Sequence, residues 1–539
     1  TRLECPHFDQ CFVFAARRRA ADADVVVVNH HLLTSDLAVR RVQENWQDAA
    51  VLPPYRRLVI DEAHHLEDTA ADHLGTEVTA RGLLRQLGRL ERNGKGLIPA
   101  LVAELKARDD TLSRATVDLL HLGLLPEVTA AKGHAERLFG LLIGRLGPTG
   151  VLRLDDAFAG DPIWHQGLGL TLDNLIGVLG RLRDGVEMVA ERLEIGTEMD
   201  RRAQRLQELR GVVRRLQAAV DGLLLALRPQ GGMPVVRWIE RRGTRPIGTL
   251  PYSVALAAVP LDLAPLLRET LFDRVETVVL TSATLAAGSD FSFLEQRLGL
   301  DLPPGLVKYE AILESPFDYP EQCLFGVPTD APDPRSDEAG HDAAVARIVI
   351  DLAEIADGGM FALFTSHAAL RRAAATVRAA LGGRRMVLVQ GEGQRDQLLR
   401  RFRHSGTAVL LGTDSFWEGV DVPGSALRVL VLAKLPFKVP NEPLTAARLE
   451  RLAEQGVDGF RHYLLPHAAL KLKQGFGRLI RSRTDFGVVV LTDHRVVTRP
   501  YGETLLAALP PARRVIAPWA EIRAEAEEFF ARHGVGRMV

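Results

Sequence analysis

The sequence predicts an α/β protein with two parallel-sheet domains and a helical segment inserted into the first. Short apolar runs rich in Val, Ile and Leu recur along much of the chain, and each leads into a polar or glycine-containing turn. Continuous apolar strands separated by helical stretches are typical of parallel sheets buried on both faces. We therefore predict strands at 25–28, 58–60, 278–280, 361–364, 386–389, 408–411, 429–432 and 488–491.

The helical segment occupies residues 79–234, where these apolar runs disappear. Leu and Val repeat there with alternating spacings of three and four, first over 172–193 and again over 206–227. Two such seams joined by a short link around Gly196 favour an antiparallel hairpin, and an intermolecular coiled coil is the alternative. A Pro/Asp-rich loop at 328–337 then precedes the second α/β domain.

Length and charge limit the class of protein. A chain of 539 residues corresponds to about three domains of ordinary size. The net charge of −1 gives no overall positive field, so any nucleic-acid surface must be local. Three cysteines argue against a disulfide scaffold and favour a reducing compartment. Without a membrane-length apolar run or a signal-peptide pattern, we expect a cytoplasmic protein.

An acidic pair ends the second predicted strand. Asp61 and Glu62 follow the run at 58–60, which is how P-loop nucleotide hydrolases present a magnesium carboxylate and a water-orienting base. A carboxylate pair that merely caps a helix is the structural alternative. The expected partner, a G-x-x-x-x-G-K-[ST] loop, is missing, and the nearest string at 93–96 lacks the hydroxyl residue. We therefore expect that the front end of a nucleotide-driven motor precedes this chain.

Three further motifs follow in order. Ser282 and Thr284 stand at the end of another predicted strand, where open α/β sheets bind ligands. A strand then runs into the glycine-containing turn 412–421. Finally, Arg478 and Arg481 are three residues apart, which predicts one helix face from which both reach a γ-phosphate. A solvated helix face is the alternative for the arginines, but four motifs in this order favour function.

The strings DEAH (61–64), TSAT (281–284), WEGVD (417–421) and QGFGRLIR (474–481) together resemble superfamily 2 helicases. The resemblance is to the DinG/XPD type of iron–sulfur DNA helicase, in its bacterial DinG/YoaA branch, and it extends over essentially the whole chain. It implies two RecA-like motor domains with an Arch-like helical insertion in the first. The implied segments are the end of the cluster domain (1–24), the first motor domain (25–78 and 235–310), the insertion (79–234) and the second motor domain (311–539).

The resemblance also implies a 4Fe–4S cluster. Cys5 and Cys11 would be two of its four ligands, with the other two upstream of this chain. Taken alone, two such cysteines are more often structural or part of a zinc site, and only the resemblance favours the cluster. Cys323 has no partner nearby in sequence, and we expect it to be a small buried apolar side chain.

The resemblance implies roles for individual residues. Asp61 would hold Mg²⁺ and Glu62 would orient or deprotonate the attacking water, while Arg478 and Arg481 stabilise charge on the phosphate. Residues implied to sense nucleotide or to couple hydrolysis to domain closure are Gln474, Asp421, Gly419, His64, Ser282 and Thr284. Single-stranded DNA would contact the backbone and hydroxyls near Ser366 and Thr413. A base would stack on Phe416 or Trp417, although either ring fits a core position equally well.

The predicted function is an ATP-dependent DNA helicase that uses ATP and Mg²⁺, moves 5′ to 3′ by resemblance, and serves DNA repair or replication. Its expected partners are single-stranded and duplex DNA, with no membrane, and it is expected to be a monomer; a replication or repair protein as a further partner stays open. Without the phosphate-binding loop, the chain as given is expected to be inactive. The alternatives are a non-catalytic chain that binds DNA or a protein, and a nuclease with its domain upstream.

Overall fold

The computed structural model describes residues 10–108, 110–194, 202–229, 234–286, 290–413, 416, 422 and 424–535. The chain divides into two compact units. The first contains Thr1–Val59 and His65–Val279, and the second contains Ile60–His64 and Leu280–Val539. Among the described helices, none is both long and apolar enough to cross a bilayer.

Thirteen strands are present in the described part of the chain. They are β1 (Arg57–Asp61), β2 (Thr76–Thr79), β3 (Val151–Arg153), β4 (Val235–Arg242), β5 (Ser253–Pro260), β6 (Thr277–Thr281), β7 (Cys323–Pro328), β8 (Met360–Leu363), β9 (Val387–Val389), β10 (Val409–Gly412), β11 (Val429–Leu432), β12 (Gly487–Leu491) and β13 (Arg513–Ala517).

The α-helices up to β6 are Phe12–Ala21, His30–Gln43, Leu66–Leu74, Ala80–Leu90, Leu97–Lys106, Thr111–Asp118, Leu125–Ile143, Asp156–Ala159, Leu168–Glu194, Arg202–Leu227 and Ala264–Leu267. Those that follow are Ser292–Leu298, Tyr319–Gln322, Glu338–Ile355, His367–Leu381, Arg395–Ser405, Pro443–Glu454, Leu465–Phe476, Arg495–Thr498, Gly502–Ala507 and Trp519–Arg532. Short 3₁₀ turns lie at Ala63–His65, Pro162–Trp164 and Gly424–Ala426, and π-helical turns lie at Leu119–Leu124, Arg268–Phe272 and Phe460–Leu464.

The predicted helical hairpin is present in the first unit. Helices Leu168–Glu194 and Arg202–Leu227 pack along their apolar seams in one hydrophobic core. Glu194 pairs with Arg210 near one end, and Asp173 pairs with Arg228 near the other. Because partners become more distant in sequence away from the link, the two helices run antiparallel within one chain, as the hairpin prediction requires.

A four-stranded antiparallel sheet in the first unit was not predicted. Its strand order is β2-β5-β4-β3, and β3 lies inside the segment expected to be entirely helical. Strand β5 is buried along almost its whole length, so its continuous apolar sequence is the same as that of a parallel strand. The short β2 and β3 have too few residues for a recognisable pattern.

Strands β1 and β6 form a two-stranded sheet, and here the predicted burial is wrong. Burial on both faces requires helices packed on each side of a sheet, yet Val59 is 70% exposed and Val279 is 49% exposed. The predicted strand at 25–28 is also wrong, because these residues belong to no strand and Val25 and Val27 are 79% and 91% exposed.

The second unit is built on a seven-stranded, wholly parallel sheet. Its strand order is β13-β7-β12-β11-β8-β10-β9. Helices Glu338–Ile355, His367–Leu381 and Trp519–Arg532 supply one apolar core, and helices Arg395–Ser405 and Leu465–Phe476 contribute to another. The five predicted strands between 361 and 491 are all in this sheet, and its inner strands are buried as expected.

Candidate functional site

The acidic pair marks a sharp turn at the end of β1. Asp61 is the last residue of the strand, and its Oδ1 accepts a hydrogen bond of 3.0 Å from the backbone N–H of Glu62. Glu62 has φ = 51°, in the left-handed region that residues with a side chain seldom adopt. Both carboxylates are exposed to solvent. The turn thus presents two carboxylates next to the 3₁₀ turn Ala63–His65.

Five predicted residues meet in one hydrogen-bonded network within the second unit. Ser282 Oγ lies 2.8 Å from Glu62 Oε2 and 2.9 Å from His64 Nδ1. Thr284 Oγ1 lies 3.2 Å from Ser282 Oγ and 3.3 Å from His64 Nδ1. Gln474 Nε2 donates to Thr284 Oγ1 over 3.2 Å. Residues 190 or more positions apart in sequence are therefore linked through a continuous series of polar contacts.

The donors and acceptors of this network fix its proton positions. An ionised Glu62 only accepts, so Ser282 donates its single hydroxyl proton to that carboxylate. The Ser282 oxygen then accepts from the backbone N–H of Thr284 at 3.1 Å and from His64 Nδ1. His64 must accordingly carry a proton on Nδ1. Within the network, Thr284 is only 2% exposed, whereas the Glu62 carboxylate is open to solvent.

The two predicted arginines do not share a helix face, and this expectation is wrong. The helix ends at Phe476, and Gly477, Arg478 and Arg481 lie in the turn that follows it. Two glycines in this motif lower its helix propensity, which accounts for the early end. The Arg481 backbone N–H donates to Asp485 Oδ2 over 2.9 Å, and Asp485 is 3% exposed. Both arginines are half-buried in this anchored turn.

A second group of predicted residues lies at the carboxyl ends of β8 and β10. Ser366 is the N-cap of helix His367–Leu381, and its Oγ accepts from the Ala369 N–H over 3.2 Å. Thr413 follows β10 and is 6% exposed. Phe416 is 1% exposed and packs in the core, so its ring offers no face to a base, and the core alternative applies. Trp417, Gly419 and Asp421 lie outside the described residues.

Two of the three cysteines lie among the described residues. Cys5 lies outside the described residues, and Cys11 is a half-buried free thiol at the N-cap of helix Phe12–Ala21. Cys323 is fully buried, as expected, and burial raises the pKa of its thiol. Within the described ranges, no group of three or more His, Cys, Asp or Glu residues is arranged to hold a metal ion. Of the two cysteines implied to bind the cluster, only Cys11 is among the described residues.

A buried ion pair that the sequence analysis did not find anchors the segment before β1. Arg40 Nε donates to Asp36 Oδ2 over 2.6 Å, and the two side chains are 2% and 0% exposed. Arg40 also donates to the carbonyls of residues 46, 48, 52 and 53. Asp36 accepts from the N–H groups of residues 51 and 52 and from the Tyr55 hydroxyl. Burial, followed by the charge of Asp36, raises the pKa of Tyr55.

Gln390 is a second residue that the sequence analysis missed. It follows β9, and its side-chain Oε1 lies 2.6 Å from Thr413 N and 3.0 Å from Thr413 Oγ1. The available signal was a polar residue at the end of a predicted apolar strand, which is the signal that marked Ser282 and Thr413.

A fully parallel sheet with polar residues at its strand ends, together with an acidic strand-end pair linked to serine, threonine and glutamine, defines a superfamily 2 helicase. Residues 349–512 match the model of a helicase C-terminal domain. The chain is 33% identical over 515 residues to the ATP-dependent DNA helicase YoaA of Escherichia coli, covering 95% of this chain and 70% of that relative. It is 29% identical to the ATP-dependent DNA helicase DinG of Photobacterium profundum, covering 95% of this chain and 71% of that relative. The chain belongs to the DinG/YoaA family of XPD-type helicases.

A solved structure of an XPD helicase has the same fold. It covers 90% of this chain and 72% of its own, with a TM-score of 0.50 and 14% sequence identity. This agreement confirms the predicted α/β class with RecA-like sheets.

Proposed function

We propose that the protein couples ATP hydrolysis to movement along single-stranded DNA and to unwinding of duplex DNA. The observation that carries the proposal is the network that joins Glu62, His64, Ser282, Thr284 and Gln474. The network links the Glu62 carboxylate to residues from distant segments. A change at the nucleotide would therefore be transmitted from Glu62 to the rest of the motor. The names of the relatives support ATP and DNA as ligands. We further propose that the protein is a monomer, that it moves 5′ to 3′ along the strand, and that it acts in DNA repair or replication.

The proposed roles follow the site from β1 outward. Asp61 binds Mg²⁺, which needs only one or two protein carboxylates when phosphate oxygens and water complete its shell. Bound Mg²⁺ would neutralise charge on the phosphates. Glu62 orients the attacking water, and Arg478 and Arg481 stabilise phosphate charge. Residues proposed to report the state of the nucleotide are His64, Ser282, Thr284, Gln474, Gly419 and Asp421.

Single-stranded DNA is proposed to run along the strand ends that carry Ser366 and Thr413, with base stacking on Trp417. The proposed domains keep the boundaries given by the resemblance, namely a first motor domain of 25–78 and 235–310 around the insertion 79–234, and a second of 311–539. Cys11 is proposed to ligate a cluster together with Cys5 and two further thiolates, and no step of the mechanism depends on it.

The test is Glu62→Gln in the protein expressed from its whole coding sequence. The amide keeps the shape of the side chain but no longer acts as a base, so we expect DNA-stimulated ATP hydrolysis to fall by about 10²–10⁴-fold. Binding of a single-stranded oligonucleotide should change little. Glu276→Gln serves as the matched control, because Glu276 is an exposed carboxylate just before β6. Unchanged turnover in Glu62→Gln would exclude this residue from the reaction. Absence of any hydrolysis in the unaltered protein would favour the non-catalytic alternative.

A further inference from the structure

Three polar side chains stand where β8, β9 and β10 end, and their roles toward the DNA backbone are assigned on the basis of the function proposed above. Strand β10 lies between β8 and β9, with Gly412 beside Leu363 and Leu411 beside Val389. The residues that follow these three strands are therefore neighbours at one edge of the sheet. They include Ser366, Gln390 and Thr413, three polar side chains of which the first is exposed and the second half-buried.

The orientation of the Gln390 amide follows from its contact with Thr413. The backbone N–H of Thr413 can only donate, so the Gln390 atom 2.6 Å away must be the carbonyl oxygen Oε1. A flipped amide would place two donors against each other. The hydroxyl of Thr413 lies 3.0 Å from the same oxygen and must also donate to it. Gln390 Oε1 thus accepts two hydrogen bonds from one residue.

The hydrogen bond to Gln390 Oε1 uses the single proton of the Thr413 hydroxyl. A phosphodiester oxygen is an acceptor, so it needs a donor, and Thr413 Oγ1 has none left to offer. The Nε2 of Gln390 carries two N–H donors, and among the described residues it has no hydrogen-bond acceptor. The Ser366 oxygen accepts from the Ala369 N–H, and its hydroxyl proton likewise has no acceptor among the described residues.

We propose that Gln390 Nε2 donates to a phosphate oxygen of the bound single strand and that Thr413 is a positioning residue. Thr413 holds the amide oxygen at two points, which fixes the opposite nitrogen at the edge of the sheet. The Ser366 hydroxyl supplies the neighbouring donor. The strand-end threonine of this motif therefore acts through the glutamine and does not contact the nucleic acid with its hydroxyl.

The experiment compares substitutions that separate the two roles, using a fluorescent oligo-dT and the protein expressed from its whole coding sequence. Gln390→Glu keeps an oxygen for both Thr413 bonds, but it replaces the donors with a carboxylate that repels phosphate. Its dissociation constant should rise by about 10–100-fold, the range for a lost hydrogen bond to a charged group. Gln390→Ala should weaken binding by about 10-fold without the added repulsion. Gln397→Glu makes the same charge change at an exposed position of helix Arg395–Ser405 and should change affinity by less than about 2-fold.

Thr413→Val is the deciding variant. It removes the hydroxyl but keeps the backbone N–H that orients Gln390, so the dissociation constant should rise by no more than about 3-fold, with Thr413→Ser restoring the original value. A loss in Thr413→Val equal to that in Gln390→Glu would show direct contact by the hydroxyl and overturn the assignment. Normal binding by Gln390→Glu would overturn the role of Gln390 and leave the proposed function standing. Absence of oligo-dT binding by the unaltered protein would overturn the proposed function as well.

Discussion

At the scale of single residues, the buried pair Asp36–Arg40 illustrates how a charge can hold a loop. Every donor nitrogen of Arg40 has a partner, and the Asp36 carboxylate accepts four hydrogen bonds. A buried ion pair offsets its desolvation only when its remaining hydrogen-bonding groups are also satisfied. The segment 44–55, which leads into β1 and its acidic pair, is thereby tied to helix His30–Gln43.

Asp36→Ala should destabilise the first unit by about 3–5 kcal/mol, because it leaves the Arg40 charge buried without a partner. The direct measurement is hydrogen–deuterium exchange at the amides of Val51 and Leu52, which lose their acceptor. Glu276→Ala is the comparison, since it removes an exposed ion pair with Arg56 that contributes at most about 1 kcal/mol. Equal protection of these amides in both variants would contradict the anchoring role.

The side chain of His341 is fully buried at the start of helix Glu338–Ile355. Burial lowers the pKa of its imidazole and Lys434 lowers it further, while Asp493 and Asp342 act in the opposite direction. The folded-state pKa therefore lies below the value of about 6.5 for an unfolded chain. The contribution of the neutral imidazole to stability is complete above about pH 6.5 and is lost as the pH falls from there through the folded-state pKa, because the unfolded chain binds the proton first.

The measurement for His341 is the urea midpoint of the second unit at pH 7.5, 6.5 and 5.5, followed by hydrogen exchange in β8 and β11. The midpoint should fall with pH in the original protein. In His341→Leu, which cannot take up a proton, the fall should be smaller. An identical pH dependence in both proteins would mean that the titration of His341 is not linked to folding.

At the scale of elements, two glycines in helix Leu168–Glu194 provide a matched pair. A Cβ on Gly180 would meet no heavy atom within 4 Å, so Gly180→Ala should stabilise the hairpin by about 0.5–1 kcal/mol through helix propensity. A Cβ on Gly185 would collide with Leu124 Cδ2, and the Leu124 side chain is only 3% exposed. Gly185→Ala should therefore cost about 1–3 kcal/mol through overpacking. Thermal unfolding of both variants checks the opposite signs, and shifts of the same sign would contradict this packing.

Elements also show what local sequence can and cannot predict. The apolar runs of β8 to β12 were recognised because helices cover both faces of that sheet, which leaves the strands uniformly apolar. The run 25–28 has the same composition, but composition does not reveal whether a pairing strand is near. The turn at Arg478 was misread as helix because spacing alone does not register the effect of Gly477. The meeting of Glu62 with Ser282 and Gln474 follows from the four motifs only after family resemblance places them at one site.

At the scale of the whole molecule, a net charge of −1 means that attraction to DNA depends on local cationic groups. Arg478 and Arg481 are proposed to contact the nucleotide, so neither should contribute to that attraction. Arg478→Ala or Arg481→Ala should lower hydrolysis by about 10³-fold or more. The slope of log Kd against log salt should stay the same, whereas loss of a DNA phosphate contact would reduce it by about one. Titration of oligo-dT at several salt concentrations, beside an ATPase assay, separates these outcomes.

The exposed valines of the first unit have a consequence for the behaviour of this 539-residue chain in solution. Val59 and Val279 lie on a two-stranded sheet that is open to solvent, and Val25 and Val27 are also exposed. An apolar strand surface of this kind promotes sheet-to-sheet association. Salts that are excluded from protein surfaces strengthen apolar association, so the chain should precipitate at a low concentration of ammonium sulfate. A polar replacement such as Val59→Thr should raise the concentration at which the solution first scatters light.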